Sequence, residues 1–517
     1  MGSEKADLVL HDGVIRAHPG NDSIALGGGK ILAHGPFSQL KPLLGPRTHL
    51  IRLGGRFVAP GLIDSHLHFL EAAAVSSGLG LWRCHTLSEL LSDLRAAAGR
   101  TPPGNWLRAF GCDEALLAER RGPTRAELDQ AAPKNPLRLR HQTLHASWLN
   151  SRAIAALGLE GPDFKPPPGA LLPRNAAGRL TGLVVGMESW LTNRLPRVTG
   201  AEIEARARLF SRELAASGVT AFTDATASNG PDQVTALARL VRSGAIGQRA
   251  AMMIGSAHLD AAADAYRVAA PAGIALAGVK FLQVIERDYR DVARLIVRAR
   301  QAGLDCAFHC TEVEELEAAL SAAEASVRGT PAADGVTVLR VEHGGVITLE
   351  HRERIKALGA WVVTDPGFIY YRGSKYVSEP GLIPHLYRAR SLIDAGVEVA
   401  GATDAPVTPA RPLMAIAAAA TRVSIEGYEI GLDERIPIGR AVELFTTQAA
   451  RLARLQAGEI VPGWLADLIV LPRDPASLSP EDLTSLSVDI TIVGGRLIYQ
   501  RGRPEVAASP GADLPWS

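Results

Sequence analysis

Cysteine is scarce: four residues, Cys84, Cys112, Cys306 and Cys310, in a chain of 517. They have neither Cys-x-x-Cys spacing nor the density of a secreted disulfide scaffold, which fits a reducing cytoplasm. An excess of one charge is also missing, since Lys+Arg 55 stand against Asp+Glu 54 for a net charge of +1. That balance gives no electrostatic case for nucleic acid or for an acidic membrane surface, and it leaves a small molecule as the expected partner. No run of about twenty apolar residues could span a bilayer, and Met1-Gly-Ser-Glu-Lys lacks the apolar core of a signal peptide. The expected location is cytoplasmic, and composition leaves a homo-oligomer open. Lysine is rare as well, with eight residues, so most positive charge falls on arginine. A lysine inside an apolar strand is then conspicuous, because lysine is seldom buried.

What is present centres on Pro60–Phe69, which reads Pro-Gly-Leu-Ile-Asp-Ser-His-Leu-His-Phe. Side chains alternate across a β-strand, so His66 and His68 point the same way from one strand end. Two imidazoles held that close can share one metal ion, and a strand's C-terminal mouth is where such a site is built. An imidazole pair satisfied by local hydrogen bonds is the competing reading. Further ligands at later strand ends decide between the two.

The length exceeds what one simple core holds, so a large catalytic body with at least one smaller unit is expected. Short strand-like runs punctuated by glycine fill residues 1–58, and the same grammar returns in 455–517 at Ala466–Leu471 and Ile490–Tyr499. Short strands need partners, so the two ends are expected to form one β-sandwich around which the middle is inserted. Residues 59–454 form the body. Within it, about 70–199 is too long for a bare loop and is expected to fold as an excursion over the barrel mouth. Thr86-Leu-Ser-Glu-Leu-Leu opens a helix there with an N-cap and an acidic first turn, and Pro123-Thr-Arg-Ala-Glu-Leu-Asp begins another.

From Ala201 onward helices alternate with buried strands, the signature of parallel βα units. The strands read are Val219–Thr223, Arg249–Ile254, Gly278–Val284, Cys306–His309, Val336–His343, Trp361–Thr364 and Val397–Ala402. Leu62–His66 makes eight. The predicted fold is therefore α/β, a (β/α)8 TIM barrel with its functional mouth at the strand C-termini. Strand four carries Lys280, strand five ends in His309, strand six in His343, and strand eight runs into Asp404. All are metal-compatible residues at the same end.

With these residues in place, the chain resembles the amidohydrolase superfamily, and within it amidohydrolase family 3, the branch of the N-substituted formamide deformylases. The matching pieces are Ala59-Pro-Gly-Leu-Ile-Asp-Ser-His-Leu-His, Arg340-Val-Glu-His-Gly, Thr403-Asp-Ala-Pro-Val-Thr-Pro-Ala-Arg-Pro-Leu and Gly463-Trp-Leu-Ala-Asp-Leu-Ile-Val-Leu. Arg140-His-Gln-Thr-Leu-His-Ala-Ser-Trp-Leu-Asn-Ser looks like the branch segment whose histidine, here His145, reaches the substrate.

The resemblance implies one or two divalent ions, with zinc favoured. His66, His68 and Asp404 would hold the more buried ion and His309 and His343 the outer one, with Lys280 as a bridging carbamate. A carbamate supplies the anionic oxygen that an ammonium lacks. The implied reaction is hydrolysis of a C–N amide-type bond (amide, formamide, carbamate or urea-like) by metal-activated hydroxide, with Asp404 as general base and then acid. His145 or an ion would hold the developing oxyanion.

Two departures from the branch bear on this. Lys280 runs into Phe-Leu-Gln-Val-Ile-Glu-Arg instead of a glycine-rich Asp-Gly segment, so the local loop differs. His309-Cys-Thr-Glu312 has the His-x-x-Glu spacing of the superfamily's deaminases, which keeps a deaminase of an aminated heterocycle, with Glu312 as proton shuttle, as the alternative. A helix-opening Glu312 is the simpler reading. A non-catalytic scaffold is a third possibility, although such a chain would be expected to lose ligands. Trp82, Trp106, Trp148, Phe368, Tyr370 and Tyr371 could line the mouth or simply pack in the core. Arg372 and Lys375, after strand seven, could hold a carboxylate or lie in a solvated loop.

Overall fold

A computed structural model describes residues 5–76, 79–81, 84, 86–114, 116–142, 146–167, 169–187, 190–191, 194–195, 199–282, 284–327 and 339–503. The chain divides into two compact units, one of residues 1–70 with 211–517 and the other of residues 71–210.

The first unit contains an eight-stranded parallel sheet: β1 (Leu62–Leu67), β2 (Val219–Asp224), β3 (Arg249–Gly255), β4 (Ala275–Phe281), β5 (Asp305–Cys310), β6 (Arg340–His343), β7 (Trp361–Thr364) and β8 (Glu398–Gly401). The ladder runs without a break from β1 to β8 in sequence order. Two backbone hydrogen bonds just past the end of β8 draw it round to β1. Asp404 N–H donates to the His66 carbonyl at 2.9 Å, and His68 N–H donates to the Ala405 carbonyl at 2.7 Å. The sheet is thereby rolled into a (β/α)8 barrel, with helices such as Tyr289–Gln301 and Val313–Val327 following β4 and β5. Gly61 has a steric purpose at the entry to β1, because a Cβ there would overlap the Thr220 side chain. Close approach of neighbouring strands demands glycine at such a point.

Lys280 sits one residue from the end of its strand, whereas the sequence reading centred that strand on Gly278–Val284. The ladder starts earlier because Ala275 and Leu276 pair with Ala251 and Met252 on β3. Val284–Glu286 then turns in a 3-10 helix, so the apolar residues after Phe281 do not extend the sheet. The described part of β6 begins at Arg340, and the earlier residues of the strand read from sequence, 336–338, lie outside the described residues.

Two further sheets belong to the same unit. Leu8–His11, Ser23–Gly27, Lys30–Gly35 and His49–Arg52 make one. Val14–Ile15 and Phe57–Pro60 join Leu468–Leu471, Ile490–Val493 and Arg496–Gln500 in the other. Leu10, Ile24, Ile31, Val58, Leu468, Val470, Ile490 and Ile492 pack as one core, so apolar residues from both chain ends are buried against each other. Arg249 of β3 reaches into this region: its guanidinium meets Asp467 at 2.6 and 3.2 Å, with both side chains buried.

The second unit has its own sheet of five strands, Leu79–Gly80, Leu107–Cys112, Leu137–His141, Ala146–Leu149 and Leu183–Val185. Sequence reading found helices here and no sheet. Leu137-Arg-Leu-Arg-His alternates apolar and basic residues over only five positions, a signal too short to stand out from loop. Helices Leu87–Arg100 and Arg125–Ala131 open with full capping boxes, Thr86 with Glu89 and Thr124 with Glu127.

Candidate metal centre

The barrel places six chemistry-bearing side chains from β1, β4, β5, β6 and the turn after β8 at its C-terminal end. His66 and His68 lie on one side of β1, with ring centroids 5.3 Å apart. Asp404 Oδ1 is 2.9 Å from His68 Nε2 and 3.6 Å from His66 Nε2. The ligand atoms of these three residues all fall within 4.8 Å of one another. His343 Nε2 and His309 Nδ1 face each other at 3.0 Å, and the His343 ring is 4.8 Å from that of His66. Lys280 is 2 % exposed at the end of β4.

Partners behind the imidazoles set which nitrogen faces inward. A carboxylate can only accept, so His66 Nδ1–H donates to Glu342 Oε2 at 2.5 Å and His343 Nδ1–H donates to Asp365 Oδ2 at 2.8 Å. Neither Nε2 then carries a proton: that of His66 is bare, and that of His343 accepts from His309 Nδ1–H at 3.0 Å. His68 Nδ1 lies 2.8 Å from Thr226 Oγ1. Glu342 is itself held by Arg340, whose Nε donates to Oε1 at 2.8 Å. Asp64 joins β1 to the turn after β8 by accepting from Thr403 N–H at 3.1 Å and Thr403 O–H at 2.5 Å. Sequence reading assigned no role to Glu342, Arg340, Asp365, Asp64 or Thr226. Charged residues inside otherwise apolar strands were the available signal for the first two.

The backbone is shaped for the same end. His343 (φ 72°) and Asp404 (φ 57°) both occupy the left-handed region, which bulky residues adopt at a cost of about 1–3 kcal/mol and which clusters at functional sites. Burial, with Lys280 and His343 nearby, pushes His66 well below its ordinary pKa; burial and His343 do the same to His309. Both are thus biased to the neutral imidazole that offers a lone pair. Burial also lowers Lys280, favouring the free amine. Burial raises Asp365 to about 6 and Asp64 to about 7.

The donor set fits a cation. His66 Nε2 and Lys280 Nζ are buried without a hydrogen-bond partner, and Asp404 Oδ1 beside them has only the His68 and His66 imidazoles for company. Orphaned buried polar atoms are costly, and such a pair beside a carboxylate marks a place built for something to bridge them.

His145 and Trp82 lie outside the described residues. Glu312 is exposed, and the acid that caps the helix starting at Val313 is Glu315, which accepts from the Thr311 and Glu312 N–H groups at 2.8 and 3.2 Å. Trp148 is buried in the core of the second unit, and Trp106 packs against a neighbouring cluster of that unit. Phe368 is buried with its ring 6.2 Å from that of His343, while Tyr370 and Tyr371 are half-buried. No described helix is long and apolar enough to cross a membrane.

The chain is 27 % identical to the N-substituted formamide deformylase of Arthrobacter pascens, over 96 % of this chain and 99 % of that one. Its fold matches an uncharacterized metal-dependent hydrolase from Pyrococcus horikoshii with a TM-score of 0.69 at 21 % identity, covering 92 % of this chain and 99 % of that chain. It also matches N-isopropylammelide isopropylaminohydrolase from Burkholderia multivorans, with a TM-score of 0.55 at 15 % identity over 96 % and 98 %. The amidohydrolase family model matches residues 49–499. On that match, which takes in the barrel and most of the sheet that joins Phe57–Pro60 to the C-terminal strands, the chain belongs to the amidohydrolase family and is a hydrolase.

Proposed function

We propose that the protein is a metal-dependent hydrolase of a C–N amide-type bond in a small molecule, acting at the mouth of the barrel. The observation that carries this reading is the convergence of the partnerless His66 Nε2 and Lys280 Nζ with Asp404 and His68, beside the facing nitrogens of His309 and His343. His66, His68 and Asp404 would hold one ion, His309 and His343 a second, with Lys280 carbamylated between them. Imidazole and carboxylate donors at a buried site suit zinc. A divalent cation held there supplies an acidified water and polarises the carbonyl it faces.

The chain's own groups supply the rest. Asp404 takes the proton released as the water oxygen bonds to the carbonyl carbon, then returns it to nitrogen as the C–N bond breaks, giving an acid and an amine. Glu342, Asp365 and Thr226 orient the imidazoles. The deformylase likeness places formamides among the first substrates to try.

The test is turnover of a panel of N-substituted formamides and amides before and after chelation and metal add-back. Activity lost and then restored supports the reading, and turnover indifferent to both chelation and His66→Ala rejects it.

A further inference from the structure

After Thr364 ends β7, the chain makes two short helices, Gly367–Tyr371 and Gly373–Val377, with Arg372 at the joint. The joint is held in place. A Cβ at Gly373 would overlap the Ser424 side chain, and Ile425 N–H donates to the Tyr370 carbonyl at 2.9 Å. The Arg372 guanidinium carbon sits 4.4 Å from the centroid of the Phe368 ring. That ring is a rigid plate, 2 % exposed, with Tyr387 edge-on at 5.7 Å. It also stacks at 27° on the His343 ring, 6.2 Å away. The Phe368 ring therefore lies against both the guanidinium and the His343 ring.

This arginine has no anion. Its Nε is inaccessible to solvent yet unpartnered, and among the described residues no carboxylate, carbonyl or hydroxyl accepts from its side chain. Three other arginines of the same unit are matched. Arg340 has Glu342, Arg388 has Glu434, and Arg422 donates to the Ile430, Tyr387 and Leu386 carbonyls. A guanidinium stacked on an aromatic face keeps its in-plane fork free, and that fork matches a carboxylate with two parallel hydrogen bonds. Lys375, three residues on, is exposed and makes no comparable stack.

We propose that Arg372 recognises a carboxylate on the substrate, so that the amide hydrolysed is one bearing an acid, such as an N-acylated or N-formylated amino acid. This rests on the amide-hydrolase reading above and narrows it to a substrate class.

The test compares N-formylphenylalanine, in both enantiomers, with N-formylphenethylamine, which lacks only the carboxylate. The intact enzyme is expected to favour one enantiomer of the acid by tenfold or more in kcat/KM. Arg372→Gln should remove that preference, mainly through KM, and Arg372→Lys should restore part of it. A thermal melt of each variant shows that the fold is kept. A ratio near one in the intact enzyme, or a preference that survives Arg372→Gln, overturns the inference while leaving the hydrolase reading intact. If neither compound is turned over, calorimetric binding of N-formylphenylalanine decides. Tighter binding to the intact protein than to Arg372→Gln sustains the carboxylate site without the amide chemistry, and equal or absent binding ends it.

Discussion

Glu342 Oε2 stands 2.5 Å from His66 Nδ1, with both side chains buried and Arg340 clamped on the far oxygen. Their sequence separation is 276 residues, and β1 and β6 are not neighbours in the sheet. The contact therefore crosses the barrel. A carboxylate behind a metal-facing imidazole fixes the tautomer and raises ligand basicity, and losing such a partner costs about 10–100-fold in metal affinity. Glu342→Gln should weaken metal binding by that order, measured by competition with a chromogenic chelator. Affinity unchanged from the parent protein would mean that His66 is not a ligand or needs no help.

Lys280 Nζ is buried without a partner, and its pKa is lowered by burial. A neutral amine is the form that adds carbon dioxide. Protein prepared with ¹³C-bicarbonate should show one carbamate carbon resonance that is absent from Lys280→Met, and that variant should retain less metal. A bare lysine in metal-loaded protein would remove the bridge from the account.

Glu312 separates amide hydrolysis from deamination. Its side chain is exposed, and Glu315 has taken the capping position next to it. Amide turnover should be little changed in Glu312→Gln, whereas a proton shuttle would lose about 10²–10⁴-fold. Ammonia release from aminated heterocycles that vanishes in this variant would reverse the preference.

The Arg249–Asp467 pair should contribute stability rather than chemistry. Both side chains are buried, and Asp467 also accepts from Gly494 N–H at 2.7 Å. Removing one partner of a buried pair leaves an uncompensated charge and costs about 3–5 kcal/mol. Asp467→Ala should lower the denaturant midpoint accordingly. An unshifted midpoint would show that water reaches the arginine.

The sequence made the barrel legible because its strands are short apolar runs at regular spacing, and because His66, His68, Lys280, His309, His343 and Asp404 each fall where such a run stops. It could not reveal the groups behind them. Glu342 and Arg340 look like strand impurities until β6 is seen to face β1 across the barrel, and Asp64 looks like a polar residue in a buried strand until Thr403 returns to meet it. The sheet in residues 71–210 was missed for a different reason, since its strands are brief and one of them, Leu137–His141, carries arginines on alternate positions. Phe368 was readable only as an aromatic. Its contact with both His343 and Arg372 depends on the two-helix turn after β7.

The central claim is that these scattered side chains hold a divalent cation. Elemental analysis of the purified protein beside His66→Ala and Asp404→Ala tests it directly. The account predicts one or two equivalents of a divalent metal per chain in the parent, most of it lost in both variants together with amide turnover. Metal-free parent protein that hydrolyses the same amides at full rate would contradict it.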